Sequence, residues 1–411
     1  MSAPGYHLSA LGVVCALGYG KENVLEGLLK GDQSGLVPRA GLLPDREAYV
    51  GAVSDAFLAD QVFPASLQPW DSRNNRLLLA AFQEIATEVE AAVQRFGRAR
   101  IGIVLGTSTS GVEETEKALR LKEPQGHWPE GYDYARQEFG DPAAFLARYL
   151  GTGAPAYCIS TACSSSAKAF GSAGRLLDTG LCDAVIVGGV DSLCQLTLNG
   201  FASLESLSRS YCAPFSKDRD GINIGEAAAL FLMTRPPAGG GKGICVLGVG
   251  ESSDAYHISA PHPEGQGAKS AMRSALQQAG ITADQVAYIN LHGTATPQND
   301  AMESKAVLEV LGSGVAASST KSLTGHTLGA AGALETAFCW LLLSDYNTRR
   351  CLPPQITRGE IDDSLPALNL VGIASPPGPL AQGVMMSNSF AFGGSNASVI
   401  LATGQYLEQQ P

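Results

Sequence analysis

The chain has 411 residues, of which 45% are hydrophobic and 16% charged, enough apolar content for a large packed core and too much for disorder. Its net charge of −11 lacks the basic footprint of a general nucleic-acid binder. No run of about 18 apolar residues marks a membrane span, and the N-terminal MSAPGYHLSALG reads without a signal peptide. Nine cysteines, an odd number with no CxxC, point to reduced thiols and a cytoplasmic setting.

In chain order, residues 72–94 carry a helical pattern, and IGIVLG at 101–106 reads as a buried strand. Residues 120–155, rich in Arg, Glu, Trp and Tyr, read as an insertion. AYCIS then forms a strand with Cys158 inside it as core. TACSSS at 161–166 turns into a helix with Ala167, Phe170, Gly174 and Leu177 on one face. Cys163 therefore sits at a strand-to-helix corner, where free N–H groups and the helix dipole favour a thiolate. Read alone, it is either a nucleophile or a small buried structural cysteine.

Strands follow at 183–189, 228–233 and 244–249, with PPAGGGKG at 236–243 as a linker between them. A helix at 268–279 is stopped by Gly280, and VAYINLHG at 286–293 is a strand ending near His292. Asp300 and Glu303 share a face of the next helix, suited to a cation, to holding Lys321, or to solvent. Lys321 and His326 lie in KSLTGHTLGAAGA, where glycines clear space. SNSFAFGGSNAS at 387–398 reads as a mobile loop carrying aromatic rings, or as a tight turn with core aromatics, before a last strand at 397–402. His7, His127, His257 and His262 show no metal-ligand spacing.

Alternating strands and helices give an α/β fold. Residues 104–119 resemble 290–307, and 160–177 resemble 319–336, in the same order. The chain thus reads as duplicated halves, 1–240 and 241–411.

Together, TACSSS, HGTATPQND at 292–300, KSLTGHTLGAAGA, NSFAFGGSN at 388–396 and DRDGINIGEAA at 218–228 resemble the elongating β-ketoacyl-acyl-carrier-protein synthases of the thiolase superfamily. The resemblance implies a thiolase-like duplicated five-layer αβαβα sandwich, with each half a βαβαβαββ unit. It implies decarboxylative Claisen condensation of an acyl-enzyme with a malonyl group on acyl carrier protein. A homodimer, or a heterodimer with a related ketosynthase or chain-length factor, is implied too.

By the same resemblance, Cys163 accepts the acyl group, activated mainly by the helix terminus. The N–H groups of Cys163 and Phe392 form the oxyanion hole, and Phe390 and Phe392 belong to a gate. His292 and His326 hold the malonyl thioester. Lys321 fixes charge around His326 and pairs with Glu303, with Asp300 in support. Thr294 and Thr296 bind the pantetheine arm, and Thr109 lines the acyl pocket. The carrier is acidic in such systems, so Arg73 and Arg76, i and i+3 on one helix, and Arg209 are candidates for carrier docking or else solvated surface arginines. No cofactor carries the chemistry, although a structural monovalent cation fits near Asn290, Glu303, Ser387 or Asn388.

The chain departs from the family pattern at Ala391, Ser395, Ala227 and GTSTSG at 106–111. Those departures suit a specialised chain such as a polyene as well as a fatty acid. A catalytically silent chain-length-factor-like partner would lack the nucleophile. A thiolase would carry a second cysteine in residues 387–398, and a priming synthase Cys-His-Asn; the two histidines fit neither.

Overall fold

The computed structural model describes residues 5–236, 243–372 and 383–408. The linker read at 236–243 falls mainly on 237–242, outside the described residues.

Five strands of the first half lie in one run: β1 (Tyr6–Cys15), β5 (Ile101–Gly106), β6 (Ala156–Ile159), β7 (Ala184–Asp191) and β9 (Ala227–Thr234). Five of the second half continue it: β10 (Ile244–Ser253), β11 (Tyr288–Asn290), β12 (Ala316–Ser318), β14 (Val384–Phe390) and β15 (Ser395–Thr403). Short strands complete the set. β2 (Gly18–Tyr19) pairs with β1, β13 (Asn369–Leu370) borders β12, and β3 (Leu36–Arg39), β4 (Ala48–Gly51) and β8 (Ile224–Gly225) form a separate small sheet.

The spatial order is β6-β5-β7-β9-β1 in the first half and β12-β11-β14-β15-β10 in the second. Each reads third, second, fourth, fifth, first in chain order. The first three positions are parallel and the last two antiparallel in both halves. β1 and β10 join the halves through a short antiparallel seam, Tyr6↔Val246 to Leu8↔Ile244.

Side-chain alternation builds the layers, because successive residues of a strand face opposite sides. On β5, β7 and β9, Ile103, Ile186 and Leu230 face an outer layer of α2 (Arg73–Gln83), α3 (Ala86–Phe96) and α5 (Asp141–Leu150). Val104, Val187 and Phe231 face inward onto α6 (Ser165–Asp178) and α11 (Ala331–Leu343), which also pack on β14 and β15. On the far side, Ile289, Met386 and Ile400 meet α8 (Gln266–Ala279) and α9 (Pro297–Leu311). The result is the five-layer α/β sandwich.

Some expectations change. The helix read over 72–94 is two helices, and at the break the Glu84 carboxylate accepts the Val13 N–H of β1 (3.0 Å). Residues 387–398 are mostly strand: β14 and β15 form an antiparallel pair, and only Ala391–Gly394 turns between them. The first strand, β1, was not read at all. Between β5 and β6 the first half carries α4 (Val112–Gln125) and α5, where the second half has α9 alone between β11 and β12.

Candidate active site

Cys163 lies in the corner between β6 and α6, one residue ahead of the Ser164 cap. Ala162 is left-handed (φ 51°), which a small side chain tolerates best. Neighbouring serines tie the corner: Ser164 Oγ donates to Thr161 O (2.9 Å) and Ser165 Oγ to Ala162 O (2.5 Å). The thiol is buried, and burial pushes it up to about 11. Opposing that are first the charge of Lys321, then the N–H groups of Phe392 and of Cys163 itself. Burial thus outweighs these groups and favours the thiol over the thiolate.

His326 comes from the second half, but the first half holds its backbone. Its N–H donates to Asn223 O (2.6 Å) and its carbonyl accepts from Gly225 N (2.9 Å). DRDGINIGEAA therefore serves as a rail for a histidine about a hundred residues away. The rail needs glycine, since a Cβ on Gly225 would lie 2.2 Å from Thr324 O. The Leu328 N–H donates to His326 Nδ1 (3.2 Å), so the ring proton sits on Nε2. That Nε2 lies 3.0 Å from Cys163 Sγ.

His292 follows β11. The Glu303 carboxylate fixes its backbone, accepting from His292 N (2.8 Å) and Gly293 N (2.7 Å). Its ring meets that of His326 edge to face, with centroids 5.3 Å apart, and lies 6.0 Å from the Phe390 ring. Burial, then the positive charge of Lys321, holds both imidazoles well below the usual histidine range, so both are neutral.

Lys321 does not pair with Glu303. Its ammonium is buried against Glu335 of α11, because Glu303 is already committed to the backbone after β11. Burial pushes both carboxyl groups up to about 7. Asp300 accepts from Phe215 N (2.8 Å) and Ala295 N (3.2 Å) and braces the turn after His292.

Cys163, His292, His326, Thr294, Thr296, Phe390 and Phe392 line one cavity of about 120 Å³. Thr294 and Thr296 hydroxyls contact each other at 2.9 Å. The Phe392 ring rests on Phe201 of α7 (Gln195–Ser203), centroids 5.4 Å apart. Gly393 and Gly394 both have positive φ in this turn, whereas Ala391 does not, so the alanine imposes no backbone strain here.

Other expectations fall away from the cavity. Thr109 does not line it; its hydroxyl donates to buried Asp191 (2.9 Å). Arg73 is not a free docking residue. Its guanidinium is bound to fully buried Glu226 and to Asp55, because the Glu226 charge must be paired. Arg76 forks onto Asp71. Arg209 is exposed, beside Arg46 in a shallow groove. Sequence reasoning missed Glu335, although a single acid in the apolar run AGALETAFCWLLL is itself a signal that a buried cation is near.

A buried thiol, two neutral imidazoles and the N–H groups of Cys163 and Phe392 thus come together on the five-layer sandwich. Residues 9–238 match the Beta-ketoacyl synthase, N-terminal domain, and residues 244–357 the Beta-ketoacyl synthase, C-terminal domain. The chain belongs to the β-ketoacyl synthase family. It is 30% identical to 3-oxoacyl-[acyl-carrier-protein] synthase 2 of Synechocystis sp., over 95% of this chain and 96% of that protein. A chain in the structure of the ketosynthase ApeO with its chain length factor ApeC from Xenorhabdus doucetiae is 47% identical. The match has a TM-score of 0.87 and covers 97% of this chain and 98% of that one. A chain of the ishigamide ketosynthase/chain length factor matches at TM-score 0.84 and 26% identity, covering 98% of this chain and 99% of that one. Among the described residues no helix is long and apolar enough to cross a membrane.

Proposed function

We propose that the protein is a 3-oxoacyl-[acyl-carrier-protein] synthase that lengthens a carrier-bound acyl chain by decarboxylative condensation. The observation that carries this reading is the 3.0 Å approach of His326 Nε2 to Cys163 Sγ beside a second neutral imidazole.

In the first half-reaction the Cys163 sulfur attacks the acyl thioester carbonyl. The carbon–sulfur bond to the carrier breaks, and the thiol proton leaves with the carrier sulfur. The N–H groups of Cys163 and Phe392 hold the oxyanion. In the second, a malonyl thioester loses CO₂, and the electron pair of the broken bond becomes an enolate. Both imidazoles hold the enolate oxygen, with His326 donating through Nε2–H. The enolate carbon then forms a bond to the acyl carbon, the bond to Cys163 breaks, and the thiolate takes up a proton from solvent. Lys321, paired with Glu335, biases both histidines toward the neutral form. Thr294 and Thr296 present hydroxyls to the pantetheine arm, and the 391–394 turn opens for the chain.

The organic chemistry calls for no cofactor. A monovalent cation fits beside the site, because Asn290 Oδ1 and Ser387 Oγ, register neighbours on β11 and β14, are buried without partners among the described residues. Glu303 lies alongside and would balance its charge; Asn388 Oδ1 is already used by Ser398. The ion would stiffen the strand ends that carry His292.

For partners we infer an acyl carrier protein, approaching over Arg209, and a second ketosynthase-like chain. The outermost strand β6 is half-buried along its length, which suits an edge that a second chain covers. The two similar structures that pair a ketosynthase with a chain length factor support a heterodimer and a specialised product. The nine unpaired cysteines support a cytoplasmic setting.

Intact-mass spectrometry after incubation with acyl-carrier donors tests the reading. Wild type gains the acyl mass and Cys163→Ala does not; malonyl-carrier then releases the extended product from wild type. No adduct from any donor, with or without a co-expressed partner, would make this chain the silent subunit of a pair.

A further inference from the structure

GTSTSG at 106–111 is more polar than its place beside the core demands, and the structure shows what it surrounds. Asp191 ends β7 with no exposed surface. Its Oδ1 accepts from Thr107 Oγ1 (2.8 Å), Ser108 N (2.7 Å), Thr109 N (2.8 Å) and Thr109 Oγ1 (2.9 Å). Its Oδ2 accepts from Ala330 N (3.1 Å). Every one of these contacts is a donor, the pattern a carboxylate wants and a protonated acid does not.

The two oxygens reach into different halves. Oδ1 gathers the loop after β5. Oδ2 holds the turn Leu328–Ala330, two residues beyond His326. That turn is strained: Leu328 is a non-glycine residue at φ 52°, a conformation that costs about 1–3 kcal/mol and persists only where its surroundings impose it. The gathered loop also presses on the same turn, since a Cβ on Gly329 would lie 2.7 Å from Ser108 N. The strained residue is the one whose N–H meets His326 Nδ1 and keeps the ring proton on Nε2, facing Cys163.

We propose that Asp191 is the positioning residue of His326: through the Leu328–Ala330 turn it sets which ring nitrogen of the histidine carries the proton. Asp191 touches no substrate and acts only through that turn. The threonines of GTSTSG hold it in place. The inference rests on the enolate-holding part given to His326 above, since Nε2–H is the donor that part requires.

The experiment is nitrogen NMR of protein labelled in its histidine side chains, with His326 assigned by His326→Gln, beside separate rates for acylation and for malonyl decarboxylation. In wild type His326 carries its proton on Nε2. In Asp191→Asn, whose amide turns an N–H toward one set of donors, a measurable share of His326 shifts its proton to Nδ1. Decarboxylation slows about 10²-fold, a loss that a misplaced catalytic contact can cause, with little change in KM for malonyl-carrier, while acylation of Cys163 slows far less. Thr109→Val, which removes one contact to Oδ1 and leaves Oδ2 alone, keeps the wild-type tautomer. A wild-type His326 protonated on Nδ1 overturns the inference without any variant. So does a folded Asp191→Asn with wild-type tautomer and rates, or equal loss in both half-reactions. A wild type that acylates but never decarboxylates malonyl-carrier overturns the functional reading instead, with the tautomer result still standing by itself.

Discussion

Lys321 and Glu335 form a buried pair whose charges act on Cys163, and their burial sets the cost of removing either one. Glu335→Gln leaves a cation in the interior with no anion to meet it. Breaking a buried pair in this way costs about 3–5 kcal/mol, so the urea midpoint falls sharply. Lys321→Met combined with Glu335→Leu recovers most of that stability without recovering condensation. Equal midpoints for Glu335→Gln and wild type would show that the ammonium has another partner. This pair also shows where sequence reading stops. Cys163, His292, Lys321 and His326 were legible because each stands in a distinctive motif. The partner of Lys321 was not, because Glu303 is the nearer acid by motif while Glu335 is the nearer by fold. Arg73 failed for a related reason: a helix position announces an arginine, but the buried Glu226 that claims it arrives from more than 150 positions away.

At the scale of elements, the rail of β8 under His326 makes the sharpest prediction. Gly225→Ala drives a methyl into Thr324 O, and neither backbone can retreat without moving His326. Overpacking of this kind costs about 1–3 kcal/mol. The loss in condensation rate exceeds what the fall in unfolding midpoint explains, because the displaced segment carries the Nε2–H donor. A variant with lowered midpoint and unchanged kcat would mean that the rail is structural only. Strands rich in Val, Ile and Leu, such as β5, β7 and β9, could be read directly, since both faces are buried and the runs are continuous. β14 could not. Its VMMSNSF places Ser and Asn in a fully buried strand, where Asn388 bonds to Glu303 and Ser398, and polar residues of that kind read as a loop until their partners are known.

Over the whole molecule, buried carboxyl groups shape the response to pH. Burial holds Asp141 of α5 up near about 7, against an ordinary value of 3.8, with the Asn75 amide opposing. A group raised on folding binds its proton more tightly in the native state. Its contribution is therefore complete below 3.8 and is lost as the pH rises through about 7. Glu303 acts in the same direction. The buried histidines act oppositely, and their effect fades over about a unit above their ordinary value of 6.5. Between pH 6.5 and 8 the raised carboxyl groups, Glu335 among them, outweigh the fading histidine effect, and the buried cysteines act in the carboxyls' direction, so the denaturant midpoint falls across that interval. Asp141→Asn flattens the fall; a midpoint that rises from pH 6.5 to 8 in wild type would contradict it. The repeated strand order of the two halves was legible only as two pairs of similar segments, because most of the likeness lies in topology and little of it in side chains.

The central layer has a consequence for how such a chain can change over time. α6 belongs to one half and α11 to the other, and they pack closely enough that a Cβ on Gly332 would lie 2.6 Å from Ala167 N. Neither half owns a complete interior. A recombination event that replaced one half with that of a distant relative would import one helix of a matched pair and leave the other behind. The duplicated architecture looks modular on paper, yet the close α6–α11 contact means that a foreign half would have to match its partner helix to pack.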